Sequence, residues 1–152
     1  MIVLPRADAL PIFLPLIQGL VERENARGDC MDATKLYTIL LSGSRQLVCV
    51  YKNENELVPL IMLVLGVTEE STRKRVTVVV DNILVPDPER LKGHDFKDDI
   101  SGFLGLCKDA DRIVFNTDNQ DMLAFVKRLV PNLNFRPTTI LYEAKLEVNL
   151  GR

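Results

Sequence analysis

The sequence predicts an α/β (α+β) protein: one domain over residues 1–152 with a mixed central sheet and the element order β-α-α-β-β-β-α-β-α-β. Three observations predict it. Apolar residues recur at helical spacing near the start of the chain. Three β-branched runs then follow one another across tight turns, which makes an antiparallel meander. After them, helical patterns alternate with strands, and a strand–helix–strand unit implies parallel pairing.

Met1 to Pro5 reads as the first strand. Asp8 is placed to cap a helix whose apolar residues Ile12, Phe13, Leu16, Ile17, Leu20 and Val21 recur at helical spacing. Pro15 should kink that helix or delay its start, and "ENARGD" ends it. Asp32 can cap a second helix with Leu36, Ile39 and Leu40 on one face and Gly43 at its end. The meander follows as "QLVCVYK", a turn at "NENE", the long apolar "LVPLIMLVLGV", the charged turn "TEESTRKR" and "RVTVVVDNILV". Pro59 stands near the start of the long strand, and Gly66 is a candidate bulge. Phe96, Ile100, Phe103, Leu104 and Cys107 then share one helical face. "RIVFNTD" is a strand. Met122, Leu123, Val126, Leu129 and Val130 line one side of the next helix. The end, "NFRPTTILYEAKLEV", reads as a final strand.

A chain of 152 residues can bury a real core as a single domain. Its 47% hydrophobic and 26% charged content is that of an ordinary soluble globular protein. A net charge of −2 gives no basic field, and the absence of Trp leaves little for base stacking, so nucleic acid is not indicated as a partner. Cys30, Cys49 and Cys107 are widely separated and form no C-x-x-C pair, which points to reduced thiols in a cytoplasm-like compartment. The single His94 has no cysteine beside it, so no zinc site is expected. The apolar opening is broken by Pro5, Arg6, Asp8, Pro11 and Pro15, so it reads as neither a membrane span nor a signal peptide.

The most informative stretch is "VPDPERLKGHD", residues 85–95, between the last meander strand and the next helix. Val85, Arg90 and Gly93 fall at the spacings of the pattern V-x-P-x-x-R-x-x-G-x-G/A, with Lys92 as a basic neighbour. Asn119 opens the helix after "RIVFNTD". Leu133, Asn134 and Phe135 occupy the place of a Leu-Gly-Phe-like turn before a strand with Tyr and Glu, and Asn134 can take the left-handed conformation Gly would supply. In order and spacing these residues resemble the GNAT acetyltransferase superfamily over most of the chain.

The resemblance implies acetyl-CoA as cofactor. Its pyrophosphate would lie on the backbone amides of Leu91, Lys92, Gly93, His94 and Asp95, with Arg90 and Lys92 beside it and Asn119 on the following helix. Helix N-terminal N–H groups and the helix dipole favour an anion at such a place. Asp95 opposes this assignment. It stands where the pattern has a small neutral residue, and its carboxylate can cap the helix by taking the N–H groups a phosphate would use. Like charges about 4 Å apart cost on the order of a few kcal/mol near a protein surface. Asp98 and Asp99 add negative charge; Lys92 and Lys97 offset part of it.

Acetyl transfer also needs a base and an acid. Asp81, in "VVVDNIL", is the one candidate base on its strand, and alternation places it on one face with Ile83 and Val85. The helix position where such enzymes carry a leaving-group Tyr holds Phe125, which has no proton to give. Tyr142 reads as packing at the core edge. His94 has a suitable ordinary pKa, but its loop position reads as surface. Cys49 and Cys107 read as small buried hydrophobes.

Three functions are left in view. The favoured one is a GNAT-like protein that has lost acetyl-CoA catalysis and serves as a structural or protein-binding component, with protein partners or self-association and no cofactor. Degraded GNAT-like domains similar to this one occur in virions of short-tailed phages, so the resemblance extends to a place in a virion. The alternative is an active acetyl-CoA-dependent N-acetyltransferase acting on an unknown amine. The third is a small regulatory module of unrelated α/β type that offers its acidic helix face, "DFKDD", to a protein partner. Fold alone does not choose among them.

Overall fold

Five strands form one sheet in the order β1-β2-β3-β4-β5: β1 (Ile2–Val3), β2 (Gln46–Val50), β3 (Ile61–Glu69), β4 (Val76–Leu84) and β5 (Arg112–Phe115). The computed structural model describes residues 1–28, 30–69, 75–116, 120–131 and 133–136. The expected final strand with Tyr142, Asn119 and most of the "TEESTRKR" turn lie outside the described residues. The first three pairings are antiparallel and β4–β5 is parallel, so the mixed sheet is as the pattern of turns and crossover helix predicts.

Two helices lie on each face. On one side α1 (Leu10–Ala26) and α2 (Ala33–Leu41) bury Phe13, Ile17, Leu20, Leu36 and Leu40 against Leu47, Cys49, Met62, Val64 and Leu84 of the sheet. On the other side α3 (Lys97–Leu106) packs Phe103 with Val48, Leu65 and Val80, while Phe125 of α4 (Gln120–Leu129) joins Phe96 beside Val50, Leu60 and Ile61. Each fully buried side chain such as Ile17 contributes about 1.5–3 kcal/mol relative to exposure.

Local signals act as expected at α2. Asp32 Oδ1 accepts the Thr34 and Lys35 amides at 2.9 and 3.1 Å, and Gly43 takes φ +78° just past the helix end. At α1 they do not. A 3-10 turn, Ala7–Ala9, leads into the helix, Ala9 is the cap residue, and Asp8 makes no capping bond. The helix runs through Pro15, which sits on the exposed side; Ile12 also faces out, at 77% exposure. The face drawn for α1 was therefore too wide by one residue. Ile39 and Leu104 are likewise more exposed than their helical faces predict.

Gly66 is not the bulge. The β3–β4 register jumps between Val64, opposite Asn82, and Leu65, opposite Val80. The extra residue is Asp81, on β4. A bulge breaks period-two alternation. Val80 and Ile83, three apart, therefore belong to the same α3-side cluster. The expectation that Asp81 shares a face with Ile83 and Val85 is corrected by this one-residue insertion.

Cys49 is fully buried, and burial pushes its thiol pKa from 9.0 up to about 12. The folded state holds this proton more tightly than the unfolded chain does. The stabilisation is complete below pH 9.0 and is lost as pH rises toward about 12. Cys49→Val should remove up to about 1.4 kcal/mol per pH unit of stability loss across that window. Urea denaturation of both proteins between pH 8 and 11 measures the difference in slope.

Candidate functional site

The residues from Val85 to Phe96 form a turn at the end of β4. Asp87 caps a short 3-10 helix, Pro88–Leu91, by accepting the Glu89 amide at 3.1 Å. Lys92 is extended, and Gly93 takes φ +76°, a conformation that side chains disfavour. His94 and Asp95 then lead into α3. The Gly in the motif thus stands where the backbone requires one.

The cationic side chains of this turn already have partners. Arg90 Nη1 donates to the Val58 carbonyl at 3.0 Å, and Nη2 donates to Glu56 Oε2 at 3.2 Å. Both acceptors lie on the β2–β3 loop, which Arg90 ties to the turn. Lys92 Nζ lies 2.8 Å from Glu89 Oε2, with both side chains about three-quarters exposed; such a pair adds little stability. The amides are also partly taken. Lys92 N donates to Glu89 O and His94 N to Leu91 O, each at 3.3 Å. Asp95 Oδ1 accepts the Lys97 amide at 3.0 Å, so its carboxylate does occupy a donor at the start of α3.

His94 is not the surface residue its loop position suggests. Its side chain is 12% exposed, and its ring meets Phe96 edge-on at a centroid distance of 4.6 Å. Nε2 lies at hydrogen-bond distance, 2.8 Å, from Asp99 Oδ2. Asp99 is buried, and its other oxygen accepts from the Met1 amino group. Asp99 is thus an internal partner for both groups and not simply surface charge on the first turn. Phe96 in turn meets Phe125 edge-on at 6.2 Å, so Phe125 packs against the residue that precedes α3.

Asp81 lies elsewhere. Its Oδ2 accepts from Arg45 Nε, which reaches it from the residue before β2. Beside it, the β4–β5 ladder ends at Val80 opposite Phe115, closed by Asn116 N donating to Val80 O at 2.9 Å. From Asp81 to Leu84, β4 continues with no β5 partner among the described residues. The parallel ladder ends there, with β5 itself.

The structure thus gathers Arg90, Leu91, Lys92, Gly93, His94 and Asp95 into one turn and leaves Asp81 on β4. The sequence reading missed Arg45, Glu56 and the inward role of Asp99. Among the described residues no cluster of three His, Cys, Asp or Glu could hold a metal ion, and no helix is long and apolar enough to cross a membrane.

No protein-family model matches the sequence, and no curated protein matches it either. Solved structures do. A ribosomal-protein-alanine N-acetyltransferase from Brucella melitensis biovar Abortus 2308 superposes with a TM-score of 0.65 at 13% identity, covering 96% of this chain and 99% of that one. A possible acetyltransferase from Clostridium difficile 630 gives 0.65 at 13% identity over 97% of each chain. An aminoglycoside acetyltransferase from an uncultured soil metagenomic sample, in complex with sisomicin, gives 0.64 at 17% identity over 95% of this chain and 96% of that one. The fold is that of the GNAT acetyltransferases, as the sequence resemblance implies.

Arg90→Ala should cost about 1 kcal/mol by releasing the β2–β3 loop, a value discounted for the partial exposure of the ion pair. Glu56→Gln, which keeps an acceptor for the guanidinium, should cost less. Equilibrium urea unfolding of the two variants checks both the size and the order.

Proposed function

We propose that this GNAT-fold chain has given up acetyl-CoA catalysis and serves as a structural or protein-binding component. A place in an assembly such as a phage virion fits the sequence resemblance. One observation carries the reading: the groups that would hold a pyrophosphate are engaged by the chain's own acceptors. Arg90 is bound to Glu56 and Val58, and the Lys92 and His94 amides are bound to the Glu89 and Leu91 carbonyls. A diphosphate arriving there would have to displace Glu56 from the guanidinium and two carbonyl oxygens from backbone donors, and the Asp95 carboxylate at the start of α3 would oppose its charge. Like-charge repulsion near a surface, on the order of a few kcal/mol, lowers affinity tenfold or far more. The rest of the chemistry points the same way. Asp81 is engaged by Arg45, and Phe125 has no proton to donate.

The second reading, an active N-acetyltransferase using acetyl-CoA on an unknown amine, is favoured by two observations. Gly93 keeps the left-handed backbone of the turn, and β5 stops pairing with β4 at Val80. If a cofactor were held, Arg90 and the amides from Leu91 to Asp95 would be its phosphate ligands, with Asn119 on the next helix.

Thermal unfolding with acetyl-CoA separates the readings. Ligand at 100 times its dissociation constant stabilises by about 2.7 kcal/mol. The expected result is no shift in Tm at millimolar acetyl-CoA; micromolar binding by calorimetry sinks the proposal. In the same assay Asp95→Gly should raise affinity by at least about tenfold, because it removes the carboxylate from the α3 terminus.

A further inference from the structure

Gly66 lies in the middle of β3 with ordinary strand backbone, so left-handed geometry does not explain it. Space does. A Cβ added there would come within 2.7 Å of Arg45 Nε and 2.9 Å of Arg45 Cδ and Cζ. Arg45 immediately precedes β2, whose first residue Gln46 pairs with Leu65. Its side chain therefore starts at the β2 end, crosses β3 over Gly66, and reaches Asp81 on β4. Neighbouring strands are about 4.8 Å apart, so the contact spans two strand spacings. An arginine can lie flat across a strand only where that strand carries no side chain on that face.

The place it reaches is not arbitrary. Asp81 is the residue inserted by the β4 bulge, and the β4–β5 ladder ends just before it. A bulged residue has no partner in the ladder, and here its side chain has one in Arg45. We infer that Arg45, Gly66 and Asp81 form a three-strand clamp that holds the β4 bulge and so sets the point where the β4–β5 ladder ends. Arg45 is a positioning residue, and Asp81 is a structural carboxylate. The clamp stands whether or not the turn before α3 takes a cofactor, so it can fail independently of the proposed function.

The clamp has a sign that ordinary packing lacks. Gly66→Ala must push the Arg45 side chain off the strand and break its contact with Asp81. It should lower Tm by roughly 2–4 °C, the shift that corresponds to losing about one such interaction in a chain of this size. In an Arg45→Ala background the three nearest obstructing atoms are gone. There the same Gly66→Ala change should leave Tm unchanged or raise it, since glycine is a poor strand residue. Hydrogen exchange of a peptide over residues 76–84 should quicken at least about tenfold in Arg45→Ala, with a peptide over α1 unchanged. Arg45→Lys should restore part of the protection, because it keeps the charge. Two results overturn the inference: equal cost of Gly66→Ala with and without Arg45, or exchange over residues 76–84 that is as slow in Arg45→Ala as in the parent. If Gly66→Ala does not fold, the exchange comparison of Arg45→Ala with Arg45→Lys decides alone.

Discussion

β4 has to satisfy an antiparallel neighbour on one edge and a parallel neighbour on the other, and the two ladders end at different places. Its pairing with β3 runs from Val76 to Leu84, while its pairing with β5 covers only Thr77 to Val80. The bulge falls at the boundary between these regimes. Up to Val80 the strand is held from both sides; beyond it, β3 and side chains do the holding. That is why a guanidinium from the far side of β3 has an effect at this point. It supplies an anchor at the one residue that the β3 register skips. The helices depend on the same placement. Val80 and Ile83 present themselves to Phe103 on α3, and Leu84 turns to the α1 and α2 side. Were Asp81 paired in the ladder instead of bulged, residues 82–84 would shift by one register, and Ile83 and Leu84 would exchange faces.

The turn that leaves β4 follows from where the strand ends. It must bring the chain back to start α3 on the opposite face from α1 and α2, and Gly93 allows the change of direction. Its polar groups are then satisfied from within. Asp87 holds the 3-10 helix, Arg90 reaches the β2–β3 loop, Asp95 takes an amide of α3, and His94 folds inward onto Asp99. Unsatisfied helix-terminal donors favour whatever acceptor is nearest. In this chain the nearest acceptors are covalently attached, and their effective concentration is high compared with a free ligand's.

How much of this was legible depends on the distance over which each signal acts. Helical spacing, the Asp32 cap and the turn residues act within a few positions, and they gave the helices, the meander and the parallel crossover. The motif around Arg90 and Gly93 located the turn for the same reason. Contacts across strands were invisible. Arg45 meets Asp81 36 residues away and Arg90 meets Glu56 34 residues away, and both depend on a register that a single inserted residue changes. Gly66 shows the limit. A glycine inside an apolar strand signals that something approaches closely, but the sequence does not say what, and a bulge was the nearest local reading. His94 was misread because its partner, Asp99, is five residues on, beyond the bend into α3.

The three departures from an anion-binding turn share one direction, and that gives them weight together. Asp95 at the α3 terminus, Glu56 on Arg90 and Glu89 on Lys92 each place a carboxylate where a phosphate oxygen would otherwise be attracted. Singly, each is ordinary: a side-chain bond to the first amide of α3 from the residue before its cap, a loop tie and a surface pair. The surface pair is nearly without energetic consequence. The other two stabilise the empty turn and oppose a diphosphate in the same act, because a donor that is already bound must be released before it can be used. A turn shaped to receive a cofactor would leave those donors to water or to the ligand. On the proposed reading, the stability of the free protein and the affinity of the turn for an anion are in opposition, and the side chains present lie on the side of the free protein.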